Sequence, residues 1–139
     1  MEGGVTAFIF AIIIVAIFVF VAISLTGKHG HRFNVEDYQV RFLAIENKLI
    51  KDNAASFTVA VIGGDKLLDK ALIEMGAPGK TMGERLKRVG DKFTDVNAVW
   101  RAHKLRNALA HESGLEITYR QAVNALAIYK QALKDLGAI

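Results

Sequence analysis

The chain contains no cysteine, which excludes a disulfide-stapled scaffold, a thiol nucleophile and any thiolate metal site. It has a single proline, Pro78, so long helices can run without interruption. No stretch alternates apolar and polar residues over a convincing strand length, which leaves an all-α chain. At 139 residues there is room for one modest domain and not for a multidomain enzyme. A complete phosphate-binding loop is also missing. Gly76-Ala77-Pro78-Gly79-Lys80-Thr81 ends like one, but Glu74 stands where its first glycine belongs. No strand precedes it, and no hydrophobic strand ending in Asp exists to hold magnesium. A helix stop followed by a helix cap explains the same residues. No motif implies a cofactor or a metal.

What the chain does have is an uneven distribution of apolar residues. Val5 to Leu25 is a run of 21 residues interrupted only by Thr6 and Ser24. As a helix it is about 31 Å long, enough to cross a hydrocarbon core of roughly 30 Å. A secretory signal peptide fits less well, because Met1-Glu2-Gly3-Gly4 carries no Lys or Arg, the run is too long and no small-x-small cleavage site follows. Residues 1–27 are therefore expected to be a single transmembrane anchor in contact with lipid, followed by a juxtamembrane linker at 28–34. Ala7 and Ala11 are spaced for helix pairing, but one such pair reads equally as lipid-facing filler. Lys28 and Arg32 flank the carboxyl side of the span, so the positive-inside bias places the remainder in the cytoplasm at the cell membrane. His29 and His31 lack further ligands and are expected to sit among lipid headgroups rather than to bind metal.

Beyond the span the chain holds all 18 basic residues against 13 of the 14 acidic ones, Glu2 being on the far side. The excess favours acidic partners. It is also local. Lys80, Arg85, Lys87, Arg88, Lys92, Arg101, Lys104 and Arg106 cluster between positions 80 and 106 against Glu84, Asp91 and Asp95. Within it Arg85, Lys87, Arg88, Arg101 and Lys104 are the candidates for tracking a nucleic-acid backbone. The plainer reading is a solvated face beside an anionic membrane surface.

The rest reads as helices throughout. Asn34 caps a helix expected to reach Asp52, carrying Tyr38, Phe42, Ile45 and Leu49 at three- and four-residue spacing. A second runs from Ala55 to Met75, with Gly63-Gly64 as a point of weakness or bending. Thr81 with Glu84 forms a capping box for a short helix through Val89, which Gly90 ends. Thr94 or Asp95 opens a helix to Ala110, and Thr118 with Gln121 opens the last, to Leu136, with Val123, Leu126, Ala127, Tyr129, Ala132 and Leu133 as its apolar set. The expected architecture is all-α: one membrane helix followed by a four- to five-helix bundle over residues 35–139.

The helix that begins near Val96 has an odd face. At 100° per residue from Val96, Val99 falls at about 300° and Trp100 at about 40°, an apolar stripe with Trp100 as core. Yet His103 at about 340°, Asn107 at about 20°, Arg106 at about 280° and His111 at about 60° occupy the same stripe. Lys104, Asn97 and Arg101 already supply a wet side. Polar groups placed where a core should continue are costly unless paired or functional.

Arg106-Asn107-Ala108-Leu109-Ala110-His111 resembles the signature of the HEPN superfamily (higher eukaryotes and prokaryotes nucleotide-binding domains), an Arg, a polar residue, a few further positions and a His. The resemblance covers residues 35–139 in architecture and six residues in motif. It implies a helical bundle, a homodimer in which two motifs meet across a cleft and, in active members, a metal-independent endoribonuclease. The chemistry suits the side chains. An imidazole free in water has a pKa of about 6.5, the range in which a side chain can both take and give a proton, and His111 would do so at the 2′-hydroxyl or the leaving oxygen. The Arg106 guanidinium can clamp the anionic phosphorane. Asn107 is placed to hold either partner, and His103 is a candidate second proton carrier or a satisfied, partly buried histidine. On an ideal helix Arg106 and His111 lie about 140° apart, so joint action calls for a distortion near Gly114 or a second subunit. The competing expectation is a non-catalytic, membrane-tethered scaffold that uses the same surface for a protein or nucleic-acid partner. There Arg106 ties helices together through Glu112 or another acid, and His111 caps a helix end.

Overall fold

The computed structural model describes residues 2–26 and 31–139, with side chains from Gly4 to Ala22 and from His31 onward. They form two compact units, an N-terminal one and Arg32–Ile139. The first is a single helix, α1 (Glu2–Thr26). Its stretch Gly4–Ala22 has a mean hydropathy of 3.2 and no buried residue, so it is long and apolar enough to cross a membrane. Val5 lies in this helix, and the backbone at Leu25 continues it. Lys28 and His29 lie outside the described residues, whereas His31 and Arg32 are exposed.

The second unit contains α2 (Val35–Glu46), α3 (Ala54–Glu74), α4 (Met82–Val89), a 3-10 turn at Gly90–Lys92, α5 (Val96–His111) and α6 (Tyr119–Asp135). No strand occurs among the described residues. Each helix starts where a side chain takes up an orphan amide: Asn34 from Asp37, Asn53 from Ala55, Thr81 from Glu84, Asp95 from Ala98, and Thr118 from Gln121 in a complete capping box. Thr94 does not open α5. Its amide and hydroxyl both donate to Asp135, which ties the entry of α5 to the end of α6. At α4, Glu84 accepts from the Lys80 amide rather than from Thr81, so the box is shifted by one residue.

α2 stops six residues before the expected end. Ser56 accepts the Ile50 amide at 2.9 Å and donates to carbonyls upstream, while Asn53 is already committed to capping α3. The backbone groups that would have continued α2 are thus satisfied by the next helix's first turn. Gly76, at φ +77°, ends α3 with the amides of Gly76 and Ala77 turned back onto Ile73 and Leu72, the stop expected ahead of Thr81.

α3 is the spine. Phe57, Ala60, Val61, Leu68 and Leu72 on it are buried with Tyr38 and Phe42 of α2, Leu86 of α4, Val99 and Ala102 of α5, and Leu126, Tyr129 and Leu133 of α6. Each large apolar side chain so buried contributes about 1.5–3 kcal/mol. Val123 and Ala127, expected on the apolar face of α6, are exposed instead, and Ala122 and Ala125 take the inner positions. The Gly63-Gly64 pair lies inside α3, which runs through it as α-helix. A Cβ on Gly64 would sit 2.6 Å from the Tyr129 ring, so the missing side chain is what lets α6 approach α3.

Candidate functional site

Three elements of the second unit part to leave one large cleft of about 750 Å³. α3 supplies Asp65, Lys66 and Asp69 to its lining, the segment Lys80–Lys87 forms a second wall, and α5 forms the third from Trp100 to His111. The cleft borders an arc of about 160° of α5, from Arg106 round to Lys104. Residues on both flanks of the helix therefore reach it. Arg106 and His111, expected to need a distorted helix or a second subunit, line the same cleft within one chain while α5 stays helical through His111.

Beneath the cleft lies a connected polar network. Asp65, 3% exposed, accepts from the Tyr129 hydroxyl at 3.2 Å and lies 2.8 Å from His103 Nδ1. Asn107 Oδ1 accepts from Arg106 Nη1 at 2.9 Å, so its Nδ2 faces His103 Nε2 at 3.2 Å. Arginine can only donate, and that settles the remaining roles. The amide oxygen faces Arg106, the amide N–H₂ donates to Nε2, and the Nδ1 N–H of His103 donates to Asp65. Arg106 Nε lies 3.2 Å from Asp65 Oδ2, within ion-pairing range but off the line of a hydrogen bond, and is otherwise buried without a partner. Burial, and then the charge and hydrogen bond of Asp65, push the Tyr129 hydroxyl far above the ordinary phenol range, so it remains a donor.

Both ring nitrogens of His103 are engaged and the residue is 8% exposed. Of the two readings of His103, the satisfied, partly buried histidine fits this geometry: it is a strut between α3 and Asn107. His111 is the opposite case, exposed on the last turn of α5 with no hydrogen bond among the described residues. It does not cap a carbonyl. Arg106 is intermediate: its side chain is 25% exposed, and it ties α5 to α3 through Asp65 rather than to α6 or Glu112.

The proposed backbone-tracking residues divide. Lys87 and Lys104 line the cleft and are exposed. Arg85 also borders it but is 6% exposed, with Nε and Nη2 on Asp69 at 2.7–3.0 Å and Nη1 on the Gly79 carbonyl at 2.8 Å. It is a tie between α4 and α3 rather than a free cation. Gly79 makes that tie possible, because at φ +145° a Cβ would press on the Glu84 and Arg85 backbone at about 3 Å. Arg88 points to a neighbouring groove with Pro78 and Lys87, and Arg101 lies outside the cleft, 3.8 Å from Asp95.

Asp65, Lys66 and Trp100 were not anticipated as site residues, whereas Lys80 belonged to the basic cluster read from the sequence. The signal for Asp65 was the one that exposed His103: it follows Val61 by four and precedes Leu68 by three, a carboxylate on an apolar stripe. Lys66, Lys80, Lys87 and Lys104 form no ion pair among the described residues, while Asp65, Asp69 and Glu84 are each engaged by donors within the fold. The cleft is therefore electropositive. Among the described residues no group of three His, Asp or Glu side chains is placed to hold a metal ion. Comparison with protein-family models, with curated proteins and with solved structures finds no match to this chain.

Proposed function

We propose that this protein is a membrane-anchored, HEPN-like helical domain that binds RNA in the α3/α4/α5 cleft and cleaves it without a metal ion. The observation that carries the reading is the convergence of exposed His111, Asn107 and part-exposed Arg106 on one basic cleft, with its acids already engaged. In the step proposed, His111 takes the proton of a 2′-hydroxyl as its oxygen attacks phosphorus. Arg106 stabilises the charge on the free phosphate oxygens, and the P–O5′ bond breaks with the 5′-oxygen protonated by His111 or water. A 2′,3′-cyclic phosphate and a 5′-hydroxyl remain. The unpaired lysines supply the sequence-independent attraction for the backbone, and binding should weaken steeply with salt.

The span α1 would hold the domain at the cell membrane, with Arg32 and Lys28 keeping residues 35–139 in the cytoplasm. Because the constellation lies within one chain, a homodimer would juxtapose two clefts rather than complete one. The rival reading, a non-catalytic scaffold or interaction module, is favoured by one observation: Arg106 is drawn partly toward Asp65 and Asn107.

Full-length protein in detergent micelles, incubated with single-stranded RNA in chelator, tests the choice. Cyclic-phosphate ends that disappear in both His111→Ala and Arg106→Ala support the enzyme. RNA left intact by well-folded protein at high concentration overturns it in favour of the module.

A further inference from the structure

Arg106, His111 and the lysines of the cleft can engage a phosphate backbone, but none of them offers a surface to a base. Trp100 is the only tryptophan in the chain. The buried aromatic residues Tyr38, Phe42, Phe57, Phe93 and Tyr129 are all sealed in the core, whereas Trp100 packs against that core, is only part-buried and also lines the cleft. Its ring meets His103 edge-on at 6.1 Å between centroids, and Gly83 of α4 comes up to the outer edge of its six-membered ring, where an added Cβ would stand in ordinary van der Waals contact at 3.5 Å. The indole N–H has no hydrogen-bond partner among the described residues and is not a buried orphan, so it remains open to solvent. A tryptophan serving only as core would be covered, with its N–H satisfied. Here it lies on the same wall as Lys104 and Asn107, opposite Lys80 and Lys87, inside a cavity large enough for a nucleotide.

We infer that Trp100 is a stacking platform for an unpaired nucleobase, which makes single-stranded RNA the substrate class of the cleft. The physical logic is the division of labour seen wherever single strands are held. Cations track the phosphates and an aromatic face takes a base whatever its identity. A duplex cannot use such a platform because its bases are already stacked on one another. The inference rests on the reading of the cleft as an RNA site, and it adds a base subsite that the Arg106 and His111 chemistry does not require.

With one tryptophan, its emission reports on this position alone. Full-length protein in micelles is titrated with a 2′-O-methyl single strand, which cannot be cleaved, with the duplex of the same sequence, and with inorganic polyphosphate of matched charge. The single strand should quench Trp100 to saturation, the duplex weakly and polyphosphate hardly at all. By anisotropy of a labelled strand, Trp100→Ala should lose roughly tenfold in single-strand affinity, polyphosphate competition should be unchanged, and Trp100→Tyr should recover most of the loss. Equal quenching by polyphosphate and single strand overturns the inference, and this needs no variant, so a misfolded Trp100→Ala cannot obscure it. Cleavage of RNA without any quenching removes the base subsite and leaves the nuclease reading standing. Saturable quenching without cleavage removes the nuclease and leaves the subsite.

Discussion

The two flanks of α3 meet their neighbours in opposite ways. On one flank Gly64 offers no side chain, Tyr129 of α6 lies against the backbone with no exposed surface, and the helices close completely. On the other flank, Asp65, Lys66 and Asp69 replace apolar residues, and α4 and α5 stand off far enough to leave the cleft. One residue links the flanks: Asp65 accepts from Tyr129 on the closed side and from His103 on the open side. The difference teaches that the cleft is not a packing defect. A polar layer props it open, in which Asp65, His103, Asn107 and Tyr129 are hydrogen-bonded and Arg106 Nε is held only by its ion pair with Asp65.

The largest expected effect comes from removing the link. Asp65→Ala leaves Tyr129 and His103 without their acceptor and Arg106 without its ion-pair partner, and should cost about 3–5 kcal/mol, a fall in Tm of upwards of about 12 °C by calorimetry. An unchanged Tm would mean that the polar layer does not hold the two flanks together. Next comes the closed flank alone. Gly64→Ala puts a methyl 2.6 Å from the Tyr129 ring and should destabilise by about 1–3 kcal/mol in denaturant titration. Gly63→Ala meets only the half-buried Ile45 at 3.3 Å and should be near neutral, because relief of glycine's helix penalty offsets the crowding. If the two variants behave alike, the close approach at Gly64 is not what shapes that flank.

A smaller effect concerns the far ends of α5 and α6, away from both flanks. Burial pushes the Asp135 carboxyl up, but hydrogen bonds from the Thr94 amide, Gln131 and the Thr94 hydroxyl outweigh it and hold the group below its ordinary 3.8. A carboxylate depressed in the folded state stabilises above its unfolded value and loses that contribution as pH falls through the folded one. The wild type should therefore exceed Asp135→Asn in stability at pH 6, with the gap closing below about pH 3.8. A gap that persists at pH 2 would refute the assignment. The smallest stability effect belongs to the open rim. His111→Ala should move stability by less than about 0.5 kcal/mol while abolishing RNA cleavage, which separates the exposed imidazole from its buried counterpart.

His103 and His111 show how much of the site could be read from the chain. Both were legible as polar groups on a stripe that should be apolar, and so was Asp65 once the same test is applied to α3. A satisfied His103 was among the readings of the chain, but which carboxylate would hold it was not, because that depends on which distant segment arrives beside which imidazole. Arg85 illustrates the same limit. As a member of a basic run it was indistinguishable from Lys87, yet the turn at Gly79 and the approach of Asp69 withdraw it from the cleft. Trp100 was read as core from its apolar neighbours along the helix, and it does pack against the core; that part of it also borders the cleft is decided by the assembled helices.

The helices themselves, their caps and the apolar span were written locally, in side chains that bond their own backbone within a turn and in a run of residues long enough to cross a bilayer. α2 is the instructive exception, shortened because Ser56 of the next helix captured the Ile50 amide. What required the assembled bundle was the pairing of charges and the volume left between helices. Those depend on residues some 38 positions apart, as with Asp65 and His103, and no periodicity along one segment encodes which partner another will meet.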